Sequence, residues 1–300
     1  MISIVICSKK STISSFLKNN IESTIGVNYE IIVIDNSNQD YSIFSAYNAG
    51  LKQCKYPYVC FVHQDVKFLT CDWGEKMMKH LLDKKTGIIG IAGGKMMIRV
   101  PGWWSVDGEY MNIFQHFNDG KTKPIHMKLP EGFTGIRQQA IILDGVFLAM
   151  RKEVFEKIRF DELFSGFHGY DFDISIQSIA VGYRNYVVYD ILLEHFSAGK
   201  KSRLFYQNSI EIYKKWSQYL PLFADDVPHV NREKVTKLEE KYLSRFIRRM
   251  ARTGFETKEI ISNAAYFANL INTKKAKSKL KMIQLKILFE RIISRPLKSP

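Results

Sequence analysis

Cysteine is scarce: Cys7, Cys54, Cys60 and Cys71 are the four in 300 residues. They form no Cys-x-x-Cys pair and have no histidine at metal-ligand spacing, which excludes a zinc ribbon and a dithiol redox motif. Buried free thiols in a reducing compartment are the expectation. Long apolar runs are also missing, and none approaches the ~20 residues that cross a bilayer. Met1 runs directly into the apolar residues 2–7, with no basic region ahead of a long apolar segment. No signal peptide is therefore expected, and the chain is expected in the cytoplasm. Glycine is absent where phosphate-binding enzymes usually place it. The first apolar run leads into Ser8-Lys9-Lys10-Ser11-Thr12, which carries neither G-x-G-x-x-G nor G-x-x-x-x-G-K-[ST]. Dinucleotide-binding and P-loop readings are set aside.

What is present is a chain with 46% hydrophobic residues, enough to bury a sizeable core as one large domain or one domain with an appendage. Disorder over most of its length is excluded. The net charge of +14 is unevenly spread. Residues 231–300 hold 18 Lys and Arg against 6 Asp and Glu, a net of +12, leaving +2 for residues 1–230. The basicity thus belongs to the tail. The expected organisation is a first domain over 1–225 and a basic, mainly helical extension over 231–300.

Periodicity places the elements. Residues 2–7 read as a buried strand, and Ser11 or Thr12 offers a cap for a helix bearing Ile13, Phe16, Leu17, Ile21 and Ile25. Residues 30–34 form a second β-branched run, closed by Asp35-Asn36-Ser37-Asn38. A helix over 41–54, weakened by Gly50, precedes a third strand, Tyr58–Val62, which ends at His63-Gln64-Asp65. A helix near 74–82 and a strand near 88–92 continue the alternation. Residues 99–137 read as an irregular, substrate-facing stretch, where Trp103 and Trp104 are either core or an aromatic wall for the substrate. Order returns over 140–150, followed by a helix over 170–181 and a strand over 186–191. Strands alternating with helices imply an α/β fold with a mostly parallel central sheet, whose ligands bind beyond the carboxyl ends of the strands. Asp35 and Asp65 both fall there. A phosphate-binding enzyme without a glycine loop commonly needs a metal, and a strand-end carboxylate suits a hard divalent cation.

The ordered series Val33-Ile34-Asp35-Asn36-Ser37, Asn48-Ala49-Gly50, Asp65, Gly169-Tyr170-Asp171-Phe172-Asp173 and His195 resembles the family-2 glycosyltransferases, which have the GT-A fold. The resemblance covers roughly residues 1–200. It implies transfer of a sugar from a nucleotide-diphosphate sugar to a hydroxyl on a glycan or lipid-linked acceptor, with inversion, in surface polysaccharide assembly. It also implies Mn or Mg as cofactor. Asp35 would contact the base or ribose, and Asn48, His63 and Asp144 would belong to the donor site. Asp65 would stand at the metal end of the family's DxD motif, His195 would complete the metal site, and Asp171 would be the catalytic base. Two positions depart from the pattern: His63 stands where DxD begins with Asp, and Tyr170 where Glu precedes the catalytic Asp. Asp171 and Asp173 are two apart on a helix and point in different directions, so one faces the acceptor while the other caps or pairs.

Plainer readings stand beside these. A strand-end Asp is often a turn or cap, Asp35 and its neighbours form a polar turn equally well, His195 suits a hydrogen-bonded core, and Asp171 suits an N-cap. Nucleotidyl transfer is disfavoured because the loop after the first strand contains neither Gly nor Arg. The alternative from another class is a non-catalytic module that docks through the tail, where Arg245, Arg248, Arg249 and Arg252 cluster near Phe246 and Ile247. A solvated helical face is the default for that tail, an anionic membrane surface comes second, and nucleic acid comes last because no binding motif is present. An amphipathic run, Leu280, Ile283, Leu285, Ile287, Leu288, Ile292 and Ile293, closes it.

Overall fold

In a computed structural model of the chain, residues 1–102, 106–117, 125–127, 134–197, 201–225, 231–278 and 280–282 are described. Trp103, Trp104 and the run from Ile283 to Ile293 lie outside them. By compactness the described residues fall into two units, one within 1–97, 104–200 and 222–227, the other within 98–103, 201–221 and 228–300.

The first unit is built on a seven-stranded sheet. From one edge the strands are Arg137–Ala140, Arg184–Val188, Thr86–Gly90, Phe147–Arg151, Tyr58–Val62, Ile2–Ser8 and Tyr29–Asp35. Five run the same way, as strand-helix alternation predicts; Phe147–Arg151 and Arg137–Ala140 run against them. The strand Ile2–Ser8 is apolar throughout because both of its faces are covered. Ile2, Ile4 and Ile6 enter one core cluster with Trp73, Phe68 and Phe147, while Val5 enters the other with Phe44, Tyr47 and Phe61. The helix Ile43–Gln53 packs so closely on that strand that a Cβ on Gly50 would meet Val5 Cγ1 at 2.3 Å. Gly50 weakens the helix by propensity, and its bare backbone is what lets the helix sit on the sheet.

Several sequence expectations are corrected. Ser14, not Ser11 or Thr12, caps the helix Ser15–Thr24 by accepting from Leu17 N. Cys54 and Cys60 are buried and unpaired, but Cys71 is exposed. The stretch read as irregular contains short strands. Ile113–Gln115 and Ile125–Met127 join Leu193–His195 and Val66–Phe68 in a second, four-stranded sheet, and Glu109–Met111 pairs with Ala92–Gly94. Three-residue strands lie below the length at which a period of two can be read.

The second unit is helical. Arg203–Lys215, Arg232–Arg252 and Thr257–Ile271 contribute Tyr206, Tyr213, Phe246 and Phe267, whose rings pack edge-on or tilted. Glu239 is fully buried and receives the Arg99 guanidinium at 2.6 and 2.8 Å, a charge pair whose burial demands this bonding.

Candidate active site

Topology gathers the candidate side chains at the end of the main sheet where its parallel strands finish. The parallel strands Ile2–Ser8, Tyr29–Asp35 and Tyr58–Val62 end there. The opposed strand Phe147–Arg151 begins there, pairing Phe147 with Val62, so Asp144 and Gly145 sit beside His63. The His63 amide donates to Val146 O at 3.1 Å. The strand Val66–Phe68 then leaves Asp65 and pairs antiparallel with Leu193–His195, which lays His195 opposite Val66. Phe196 N donates to Asp65 O at 2.9 Å and locks that junction.

His63, Asp65 and His195 consequently converge, each offering one ligand atom, all within 4.8 Å of one another. His195 Nε2 lies 3.6 Å from Asp65 Oδ1 and His63 Nδ1 lies 3.9 Å from the same oxygen. Both are too long for hydrogen bonds. His195 Nε2 is buried with no hydrogen-bond partner. Its other nitrogen, Nδ1, is 3.1 Å from Gln115 Oε1. The Gln115 amide is oriented by its Nε2 donating to His116 O at 2.7 Å and Ser197 O at 2.9 Å, so Oε1 is left to accept from His195. A proton therefore resides on Nδ1, and in the neutral ring the Nε2 lone pair faces a carboxylate. A second proton on Nε2 or a metal ion relieves that opposition, and the donor set of two imidazoles and one carboxylate is one that could hold a divalent metal.

Electrostatics agree. Burial, reinforced by the adjacent His195, pushes His63 down to about 4, so it is uncharged at neutral pH. Burial opposes ionisation of Asp65, but the donor that His195 presents when protonated and the positive charge of protonated His63 and His195 outweigh it and hold the carboxyl below its ordinary value, the response a bound cation would also draw from it.

The facing wall is acidic. Asp171 lies in the first turn of the helix Tyr170–Ala180, whose N-cap Gly169 adopts φ of 93°, a left-handed conformation suited to glycine. Its carboxylate accepts from Gly145 N at 3.2 Å and Phe172 N at 3.0 Å. Burial first, then the charge of Asp144, raises it to about 7 despite those bonds. A carboxylate poised near neutrality is what general-base chemistry at neutral pH requires. Asp173 is buried and takes Gln177 Nε2 at 2.7 Å, whereas the Asp171 carboxylate is directed to Gly145 N.

The remaining candidates fall into place individually. Asp144 accepts from Val146 N at 3.0 Å in the turn before its strand. Asp35 ends its strand exposed, in register with Ser8, and accepts from Ser37 N at 2.9 Å, which lowers its carboxyl. Asn48 uses its amide on Phe160 O and Glu162 Oε1, both at 2.8 Å, tying its helix to a distant loop. Gln115 belongs to no motif of the sequence. The β-type residues Ile113 and Phe114 before it are the one local signal, inside a stretch too short to read as a strand.

The profile of the glycosyltransferase-like family matches residues 2–216, which takes in every one of these side chains. The chain belongs to that family. No curated protein matches its sequence. Among solved structures, the fold is similar to S. aureus TarS 1–349 in complex with UDP, at 12% identity and a TM-score of 0.54, over 95% of this chain and 87% of that one. TarS 1–349 in complex with UDP-GlcNAc gives 13% and 0.53, over 92% and 83%. GalNAc-T7 with UDP, GalNAc and Mn2+ gives 13% and 0.51, over 84% of this chain but 56% of that chain. A longer TarS structure is likewise matched over 53% of its own length. This glycosyltransferase-like chain therefore has the GT-A fold and spans little more than half of those two longer proteins.

Proposed function

We propose that this chain is a hexosyltransferase of the inverting type, moving a sugar from a nucleoside-diphosphate sugar to a hydroxyl of a glycan or lipid-linked acceptor in surface polysaccharide biosynthesis. The observation that carries the reading is the juxtaposition of two unlike walls, a His63-Asp65-His195 cluster with an unpartnered buried imidazole nitrogen and an Asp171 raised to about 7. His63, Asp65 and His195 would hold a divalent cation, whose charge when bound supports a departing diphosphate. Of Mn and Mg, Mn suits two imidazole nitrogens better. Asp171 takes the proton of the acceptor hydroxyl, and its two backbone amide bonds keep the carboxylate in place while it does so. Asp35 and Asn48 are assigned to the nucleotide side and Asp144 to the sugar. The catalytic domain is taken as 1–225.

The extension 231–300 is assigned to an anionic membrane surface on the cytoplasmic side. Lys234, Lys237, Lys241, Arg245, Arg248 and Arg252 are all exposed and recur every three or four residues along the helix Arg232–Arg252, one continuous stripe. Pelleting with anionic vesicles, compared between the chain and its Lys241→Glu/Arg245→Glu/Arg248→Glu variant, checks this; equal pelleting removes the assignment.

The primary reading is tested by a thermal-shift panel of nucleoside-diphosphate sugars with and without Mn, since a ligand that binds only the folded state raises apparent stability. A Mn-dependent shift with at least one donor is expected. No shift with any donor would overturn donor binding.

A further inference from the structure

We propose that Tyr170 is a positioning residue that fixes His63 in the tautomer whose Nδ1 lone pair is open to a cation. The inference rests on the metal-holding reading of His63, Asp65 and His195. Its starting point is that the two places where this chain departs from the family's acidic motifs touch each other: His63 Nε2 lies 2.8 Å from the Tyr170 hydroxyl.

Which partner donates follows from the third member of the chain of bonds. The Tyr170 hydroxyl has one hydrogen, and it is given to Gly145 O at 2.9 Å, a carbonyl that can only accept. The hydroxyl therefore accepts from His63, whose hydrogen must sit on Nε2. Nδ1 is then a bare lone pair, and Nδ1 is the atom that faces Asp65 Oδ1. In the other tautomer, Tyr170 would have to turn its hydrogen toward His63 and abandon Gly145 O, leaving a buried acceptor short of a partner. Gln115 does for His195 what Tyr170 does for His63, and the two far nitrogens are thereby spent so that the two near ones point at one carboxylate oxygen.

The hydroxyl is held in place from all sides. Tyr170 is 4% exposed and its ring lies edge-on to Phe44 and Tyr47. Gly145 is part of the device, because a Cβ there would come within 2.0 Å of the hydroxyl oxygen. Tyr170 also opens the helix that carries Asp171, so the tautomer lock ties the metal wall to the base wall through one side chain.

The test reads the tautomer directly. Long-range 1H–15N spectra of metal-free, 15N-histidine-labelled protein, with His63 assigned from a His63→Gln variant, should show the Nε2–H form for His63. Tyr170→Phe keeps the ring and removes the hydroxyl; the His63 signals should move to a mixture of tautomers, and Mn affinity by calorimetry should fall about tenfold. Gly145→Ala, which displaces the hydroxyl without removing it, should shift the same signals while leaving those of His80 in place. An unchanged His63 tautomer in both variants overturns the proposal. Wild-type protein that shows the lock and its loss in Tyr170→Phe, yet binds no Mn, would leave the tautomer assignment standing and overturn the metal reading on which its purpose rests.

Discussion

At the wall formed by His63, Asp65 and His195 each imidazole has its far nitrogen tied to a side-chain oxygen, whereas at the wall formed by Asp171 and Asp144 the two carboxylates accept from the backbone amides of Gly145, Phe172 and Val146. The first wall is poor in charge of its own, with His63 lowered to about 4, and gathers lone pairs toward one oxygen. At the second, burial and then the charge of Asp144 raise Asp171 to about 7. One wall is arranged to receive a cation and the other to receive a proton. The two should therefore fail separately.

The largest expected effect is on the first wall. Asp65→Asn should abolish Mn binding by calorimetry and reduce transfer about 10³-fold, the scale of losing charge stabilisation at a leaving group. Asp171→Asn should reduce transfer about 10²-fold while Mn binding persists. A common loss of metal binding in both variants would collapse the distinction between the walls. The second variant also carries a stability signature. Because the folded-state value of Asp171 lies above its ordinary 3.8, the carboxylate costs stability progressively as pH rises from the ordinary value through about 7. Scanning calorimetry should show Asp171→Asn melting above wild type at pH 8, with the gap closing toward pH 4.

Asp144 sets a smaller effect on the same wall. Turnover should climb with pH through about 7 as Asp171 ionises, and because the Asp144 charge is the second cause of that elevation, Asp144→Asn should move the climb to lower pH. An unmoved profile would assign the elevation to burial alone.

The walls also differ in how far the sequence revealed them. Asp65, Asp171 and His195 are legible because Asp65 closely follows the apolar strand Tyr58–Val62, Asp171 lies in the first turn of the helix Tyr170–Ala180, and His195 comes shortly after the patterned strand Arg184–Val188. Their order along the chain carried the family resemblance. The groups that orient them are not legible in the same way. Gln115 reaches His195 through a pairing of two three-residue strands separated by 80 positions, and no local period marks such a contact. Tyr170 is visible only as a departure from a motif, and its partner His63 lies 107 residues earlier. The two opposed strands of the main sheet escaped for a related reason, since an apolar run such as Phe147–Arg151 has no direction written in it. Residues that act alone at element ends are readable, and residues that act on one another across the sheet are not.

The smallest expected effect tests whether nitrogen is what distinguishes the first wall. Mg takes near-octahedral oxygen ligands and gives up water reluctantly, while Mn accepts imidazole more readily. With His63 and His195 supplying two of the three donor atoms, Mn should support transfer several-fold better than Mg at equal, saturating donor. His195→Asp exchanges one nitrogen for oxygen and should narrow that ratio, even though its absolute rate falls. The pH at which turnover climbs belongs to the other wall and should not differ between the two metals. Equal rates with Mn and Mg in wild type would show that the imidazoles do not ligate, and would leave Asp65 as the metal wall's sole anchor.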